Sequence, residues 1–171
     1  MLIDISVKNF RSVKDRQTLT FEAIKDSRLD SSRVAEIDEK LKLIKTIAIV
    51  GPNGAGKSTI VRALEALKSI VMASEEEENP LKSLIGNSYA YGETKGQPSE
   101  ISVSFIENGK PTYYTMVADM HKIYLESLYQ KVDGIKRNMF VRTYIPETEK
   151  TKVSFGASYV GQKRKATHKL A

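Results

Sequence analysis

A glycine-rich stretch in the first half of the chain has the residue types that wrap backbone around a polyphosphate. Lys57 in this stretch is expected to bring its charge to β- and γ-phosphates, and the Ser58 hydroxyl is placed to bind Mg²⁺. Glycines at three positions allow successive N–H groups to point at phosphate oxygens. The stretch matches the pattern G-x-x-x-x-G-K-[ST] at every position and consists of Gly51, Pro52, Asn53, Gly54, Ala55, Gly56, Lys57, Ser58 and Thr59. It therefore predicts a phosphate-binding loop (P-loop).

The segments on both sides of this loop are predicted to hold it in place. Residues 44–50 are β-branched and increasingly apolar, which predicts a buried parallel strand. After the loop, apolar residues recur at helical spacing, so that the anion would lie at a helix N-terminus. These residues are Ile60, Ala63, Leu64, Leu67, Ile70 and Val71. The order of strand, loop and helix favours a true P-loop over a glycine turn that happens to match.

The composition indicates a globular chain that can bury a core. Its 171 residues fit one domain, with 40% hydrophobic and 28% charged residues. The absence of cysteine excludes disulfides and thiolate metal sites, and it fits the cytoplasm. No apolar run approaches the roughly 18 residues of a membrane span, and the start carries no signal-peptide pattern. We therefore expect a cytoplasmic protein with no membrane partner.

The net charge of +6 favours a polyanionic partner only weakly. Part of the excess lies in residues 161–171, where Lys163, Arg164, Lys165 and Lys169 have no acidic neighbours. A solvated basic tail is favoured over a nucleic-acid contact.

Two half-buried strands are predicted ahead of the P-loop. Apolar and polar residues alternate around Ile5 and again around Leu19, and residues 9–16 are expected to turn between the two segments. The sequence therefore predicts an antiparallel pair before the loop. Small P-loop kinases and GTPases usually place the loop directly after their first strand, so the order here differs from theirs.

The end of the first strand, Lys8-Asn9-Phe10-Arg11-Ser12, makes the pattern more specific. A strand ending in K-N-F-R-S, a second strand, a variable insertion and a strand leading to G-x-N-G-x-G-K-S resemble the RecF/SMC-like branch of the ABC-type ATPases. The pattern is most similar to the bacterial AAA-type ATP-binding proteins grouped with OLD-family nucleases, which are often found in phage-defence and abortive-infection systems.

The resemblance implies ATP and Mg²⁺ as ligands, Lys57 as a catalytic residue, and contacts from Arg11 and Ser12 to the nucleotide. From the residues alone, Arg11 is a guanidinium at a strand end, which suits phosphate, or an exposed turn arginine. The preference for ATP over GTP comes from the resemblance, because a P-loop contacts phosphates and no part of the base.

An antiparallel β-subregion is predicted over residues 100–160. Alternating segments at 101–105, 112–118, 123–128 and 138–143 are joined through the turn signals Asn108-Gly109 and Asp133-Gly134. The resemblance implies that this sheet flanks a nucleotide core. Its tyrosines could stack on nucleic-acid bases, although sheet packing explains them at least as well. They are Tyr113, Tyr114, Tyr124, Tyr129 and Tyr144.

Together these patterns predict an α/β fold of the P-loop NTPase class and ABC/SMC-like type, with a mixed sheet around the P-loop helix. Residues 1–74 would form a nucleotide-binding core lobe and residues 75–99 a linker that begins with four glutamates. Residues 100–160 would form the antiparallel β-subregion, and residues 161–171 the basic tail.

Two elements that an ABC-type ATPase needs for hydrolysis are not found in the sequence. One is a strand ending in Asp-Glu (Walker B), and the other is the serine-glycine-rich signature loop. The nearest candidate for the first is the apolar run ending at Asp119, which lacks the glutamate; Glu126 is the next carboxylate to test. Because phosphoryl transfer depends on positioning and electrostatics, we expect an incomplete ATPase domain that binds ATP and is nearly inactive alone.

The resemblance also implies partners. ATP would bridge two such heads, so a homodimer or a partner chain would supply the signature loop and Walker B, with DNA and a nuclease or toxin as further partners.

Two alternatives stay open. A complete nucleotide kinase or GTPase would need an Asn-Lys-x-Asp motif or an arginine-rich lid, and the sequence has neither. A non-enzymatic truncated subunit would instead occupy the dimer interface of longer heads.

Overall fold

A computed structural model describes residues 1–24, 31–73, 81, 84, 88–157 and 159. The strands are β1 (Leu2–Lys8), β2 (Gln17–Thr20), β3 (Val34–Glu36), β4 (Lys42–Ile44), β5 (Ser99–Glu107), β6 (Lys110–Ala118), β7 (Ile123–Val132), β8 (Ile135–Ile145) and β9 (Lys150–Phe155). Seven of them form one sheet in the order β2-β1-β5-β6-β7-β8-β9, and β3 and β4 form a small second sheet. Every strand pairing in the described residues is antiparallel.

The helix α1 (Lys57–Met72) begins directly after the glycine-rich loop and packs on one face of the large sheet. Its sequence has no glycine or proline, and its apolar residues repeat at helical spacing, which confirms the predicted helix. Ala63, Ala66 and Leu67 are buried in the same cluster as Ile5 and Met116 of the sheet. Val71 instead lies on the outer side of the helix and is 57% exposed.

Alternation along the strands gives the large sheet two different faces. The face under α1 carries the apolar core, including Ile5, Val103 and Tyr114. The other face carries a cross-strand row of small hydroxyl residues. This row consists of Thr18, Ser6, Ser102, Thr115 and Ser127. The hydroxyls of Ser6 and Thr18 lie 2.7 Å apart, and those of Ser102 and Thr115 lie 3.1 Å apart. Four members of the row therefore form two hydrogen bonds with each other.

The predicted antiparallel strands and hairpin turns are confirmed. Asn108 and Gly109 have φ of 49° and 73°, and Asp133 and Gly134 have φ of 52° and 76°. Positive φ at both central residues is what the type I′ two-residue hairpin turn requires. The small hairpin of β3 and β4 and the edge strand β9 were not expected from the sequence.

The predicted parallel strand at residues 44–50 is wrong for this structure, and so is the predicted mixed sheet. The strand β4 ends at Ile44, and residues 46–50 pair with no strand among the described residues. Ile49 is 39% exposed and Val50 is 87% exposed. An apolar segment becomes a buried parallel strand only when neighbouring strands flank it, and the described part of the chain places none there.

The predicted core lobe and β-subregion are joined by strand pairing. The strand β1 hydrogen-bonds β5 over most of its length, from Leu2 opposite Phe105 to Lys8 opposite Glu100. The core residues of both regions belong to one cluster. The two predicted regions therefore share a single sheet.

Several predicted features fall on residues outside the described set. These are the four-glutamate run at residues 75–78 and the basic tail at 161–171, while the linker is described only at residues 81, 84 and 88–99. Within the described ranges, no helix has the length and apolar character needed to cross a membrane.

Candidate functional site

The glycine-rich loop turns sharply before α1. Gly54 and Gly56 have φ of 82° and 86°, a left-handed conformation that other residues adopt only with strain. The first hydrogen bond of the helix runs from the Thr59 N–H to the Gly56 carbonyl at 2.9 Å. The N–H groups of Lys57 and Ser58 precede this bond and have no acceptor within the helix. Together with the helix dipole, these amides favour an anion at the loop.

The Lys57 ammonium lies within the loop. Its Nζ atom donates to the Gly51 carbonyl at 2.8 Å and to the Pro52 carbonyl at 2.7 Å. A lysine ammonium has three donors, so one remains available for a ligand oxygen. The loop therefore holds a cation next to the amides that favour an anion.

The two hydroxyl residues after Lys57 have different surroundings. Ser58 is exposed, whereas Thr59 is only 4% exposed and its Oγ1 lies 2.8 Å from the Ser12 Oγ. No group of three or more His, Cys, Asp or Glu side chains that could hold a metal occurs in the part of the chain that the structure describes. The exposed Ser58 hydroxyl is a group at this loop that would bind a Mg²⁺ ion, together with ligand phosphates and water.

The turn between β1 and β2 brings Ser12 to the helix. The N–H of Asn9 donates to the Lys14 carbonyl at 3.0 Å, and Phe10 and Val13 exchange two backbone hydrogen bonds of 2.9 Å. The Phe10 side chain is 1% exposed and anchors the turn in the core. Arg11 lies at the tip of the same turn with φ of 53°, and its side chain is exposed. The structure thus brings Ser12 into contact with the P-loop helix and places Arg11 beside Ser12.

The turn and the P-loop share an open cavity of about 530 Å³. It is lined by the glycine loop and Lys57, by residues 12–15 and Gln17 after β1, and by the apolar residues Ile49, Val50 and Ile60. This volume lies in the usual range of roughly 300–1,000 Å³ for small-molecule sites. The cavity therefore combines phosphate-binding backbone, the cations of Lys57 and Lys14, and apolar residues.

Lys14, Asp15 and Gln17 line this cavity, and the sequence did not single them out. They belong to the turn and to the start of β2, where polar residues are common for reasons unrelated to function. Their only sequence signal is their position a few residues after K-N-F-R-S.

The two candidate carboxylates for hydrolysis are engaged elsewhere. Asp119 follows β6 and accepts hydrogen bonds from the N–H groups of His121 and Lys122, at 2.7 and 2.8 Å, and from the Tyr124 hydroxyl at 2.8 Å. Partial burial acts to raise the pKa of Asp119, but these hydrogen bonds outweigh it and hold the pKa below its usual value. Partial burial of the Tyr124 hydroxyl, together with its hydrogen bond to the Asp119 carboxylate, raises the pKa of Tyr124 to about 12.

Glu126 is part of a separate polar cluster on the core face. It accepts a hydrogen bond from the Tyr114 hydroxyl at 2.8 Å and forms an ion pair with Arg142 at 3.4 Å. Burial and the nearby Glu126 carboxylate raise the pKa of Tyr114 far above its usual value. Neither Asp119 nor Glu126 lines the cavity.

The tyrosines of the β-subregion pack within the sheet. Lys136 lies over the rings of Tyr113 and Tyr129, at 4.9 and 4.5 Å from their centroids. Tyr124 and Tyr144 meet edge to face with centroids 5.9 Å apart. These contacts favour the packing interpretation over base stacking.

Comparison with known proteins adds one finding. A family model described as an AAA domain matches residues 4–169, which include the turn after β1, the P-loop, α1 and the antiparallel strands. A comparison with curated proteins gave no significant match.

Proposed function

Since the chain belongs to the AAA domain family, we propose that it is the ATP-binding lobe of an ABC/SMC-like ATPase of the RecF/SMC/OLD type. The family match supports an ATP-binding, ATPase-like module. The observation that carries the finer proposal is the hydrogen bond between Ser12 and Thr59. It joins the K-N-F-R-S turn to the P-loop helix, so that both sequence patterns contribute to one cavity.

The residues of the cavity fit ATP and Mg²⁺. Two left-handed glycines and the first amides of α1 supply donors for phosphate oxygens, and Lys57 supplies the charge for the β- and γ-phosphates. Ser58 is exposed beside them and would bind Mg²⁺. When bound, ATP supplies the γ-phosphoryl group that water attacks. The apolar side chains of Ile49 and Ile60 offer a wall that the base or ribose can contact.

A further lobe is proposed to complete the site. Val50 is 87% exposed and Val61 of α1 is 51% exposed, and Val50 lines the cavity itself. A contiguous exposed apolar patch next to a functional site commonly marks an interaction surface. We propose that another segment or chain packs there and supplies the Walker B carboxylates and the signature loop. Asp119 and Glu126 are not proposed for this role because both are engaged away from the cavity.

The wider role follows from the resemblance of the K-N-F-R-S turn and the order of elements around the P-loop. In the proposed mechanism ATP bridges two heads, so that binding drives dimerisation and hydrolysis releases the dimer. The activity would serve DNA transactions or phage defence, with a nuclease or toxin as partner.

A steady-state assay of phosphate release tests this proposal. The purified chain with ATP and Mg²⁺ is expected to turn over far below roughly 1 s⁻¹, the low end of ordinary enzymes. The Lys57→Ala variant, purified in parallel, measures any contaminating ATPase. A rate above that value that disappears in the variant would favour a complete small P-loop enzyme over an incomplete lobe.

A further inference from the structure

We infer that Asn9 is a positioning residue that couples residues 89–99, the segment leading into β5, to the nucleotide-binding turn. The inference rests on the proposed function, because the coupling matters only if the cavity binds a nucleotide. In this role, Asn9 links nucleotide binding at the cavity to the ordering of residues 89–99.

The Asn9 side chain is almost fully buried and bonds the 89–99 segment with every polar group it has. It is 3% exposed. Its Nδ2 atom donates to the Gln97 carbonyl at 2.8 Å and to the Pro98 carbonyl at 3.2 Å. Its Oδ1 atom accepts from the Tyr89 N–H at 3.2 Å. Two carbonyls and one N–H fit an amide in this orientation, with two donors and one acceptor.

The backbone of Asn9 adds a fourth contact to the same segment. The Ser99 hydroxyl donates to the Asn9 carbonyl at 2.6 Å. Asn9 also has φ of 50°, a left-handed conformation in which asparagine and aspartate are enriched. The position therefore requires both a backbone that adopts positive φ and an amide side chain.

A short chain of contacts leads from Asn9 to the P-loop. The Asn9 N–H bonds Lys14 across the base of the turn, and the Phe10–Val13 pair closes the turn above it. The tip then meets the helix through Ser12 and Thr59 at 2.8 Å. A shift of Gln97 and Pro98 would move the base of this turn and alter its contact with the P-loop helix. By thermodynamic linkage, a nucleotide that orders the turn must in return order the 89–99 segment.

Two substitutions separate the side chain from the backbone. Asn9→Gly keeps the left-handed conformation and removes the amide. Asn9→Asp keeps the shape and the acceptor but places a carboxylate oxygen against the carbonyls of Gln97 and Pro98. Ser104→Ala is the matched control. Ser104 lies in β5 and is 8% exposed, and its substitution removes one hydrogen bond, to Asp4, away from the turn. Thermal melts identify the variants that fold.

Amide hydrogen exchange with and without Mg-ATP is the measurement. Without nucleotide, both Asn9 variants are expected to exchange faster at residues 10–13 and at residues 89–99 together, whereas Ser104→Ala changes neither. With Mg-ATP, the wild-type chain is expected to gain protection at residues 51–59 and 89–99. The Asn9 variants are expected to lose the second protection and to bind Mg-ATP about tenfold more weakly, a usual size for coupling between sites.

Several outcomes would overturn the inference. One is a folded Asn9→Gly protein whose 89–99 segment is protected by Mg-ATP as in the wild type. Another is faster exchange at residues 89–99 without any change at residues 10–13. Protection of residues 51–59 alone in the wild type would refute the coupling and leave the proposed function standing. No protection at residues 51–59 would count against the proposed function, and the nucleotide-free comparison would still decide whether Asn9 ties the two segments together.

Discussion

The hydroxyl groups of Ser12 and Thr59 lie 2.8 Å apart, although 47 positions separate the two residues in the sequence. This hydrogen bond joins the turn after β1 to the first turn of α1. Gly56 lies against it, since a Cβ atom added to Gly56 would come within 3.1 Å of the Ser12 Oγ. Three residues from two distant segments therefore form one packed unit at the start of the helix.

Substitution of Gly56 is predicted to disturb this unit, and Gly54 provides the matched control. Gly54→Ala and Gly56→Ala both place alanine in a left-handed conformation, which costs about 1 kcal/mol of unfolding free energy. An added Cβ meets no atom within 4 Å at Gly54, whereas at Gly56 it pushes on the Ser12 hydroxyl. Gly56→Ala is therefore expected to be the more destabilising variant in chemical denaturation.

A Ser12→Ala background tests the cause of this difference. Without the Ser12 hydroxyl, Gly56→Ala and Gly54→Ala are expected to lose similar unfolding free energy. If the excess loss at Gly56 persists in that background, the contact with Ser12 does not explain it.

The exposed apolar surface beside the P-loop is predicted to promote association. Val50 is 87% exposed, so Val50→Asp should change the unfolding free energy by no more than about 0.5 kcal/mol. Light scattering at rising protein concentration should show less self-association than in the wild type. Ile135→Asp is the control, because Ile135 is 62% exposed at a hairpin away from the cavity. If the wild type self-associates and Val50→Asp associates equally, this surface is not the self-association interface.

Asp119 is predicted to stabilise a turn and to have no part in nucleotide binding. Its folded pKa is lowered, so its charge contributes stability above the unfolded pKa of about 4, and this contribution is lost as the pH falls through the folded pKa. Asp119→Asn should cost less than about 1 kcal/mol at pH 7, because the group is only partly buried and solvent screens its charge. In denaturant titrations the difference from the wild type should shrink as the pH falls below about 4 and through the lowered folded pKa. Weaker ATP binding by this variant would contradict the assignment.

The local elements of the fold could be predicted from the sequence. Alternation around Ile5 and Leu19 predicted the first two strands, and the Asn108-Gly109 and Asp133-Gly134 pairs predicted two hairpin turns with positive φ. The helix after the P-loop followed from its apolar spacing. Such features depend on neighbours in sequence, which the sequence displays directly.

The surroundings of each element could not be predicted in the same way. Residues 44–50 have the composition of a buried parallel strand, but burial depends on flanking strands that the described structure does not place beside them. Asn9 shows the same limit within the site. Its bonds to Tyr89, Gln97 and Pro98 join residues 80 to 89 positions apart, and no local pattern specifies such a contact.

Calorimetric titration of the purified chain with Mg-ATP tests the central claim most directly. The wild type is expected to bind, Lys57→Ala is expected to lose binding, and Lys68→Ala should bind as the wild type does. Lys68 is the matched control because it lies exposed on the same helix and its removal changes the net charge equally. Loss of binding in Lys57→Ala alone would place the nucleotide at the P-loop. Equal heats for all three proteins, or no binding by the wild type, would contradict the claim that this chain is an ATP-binding lobe.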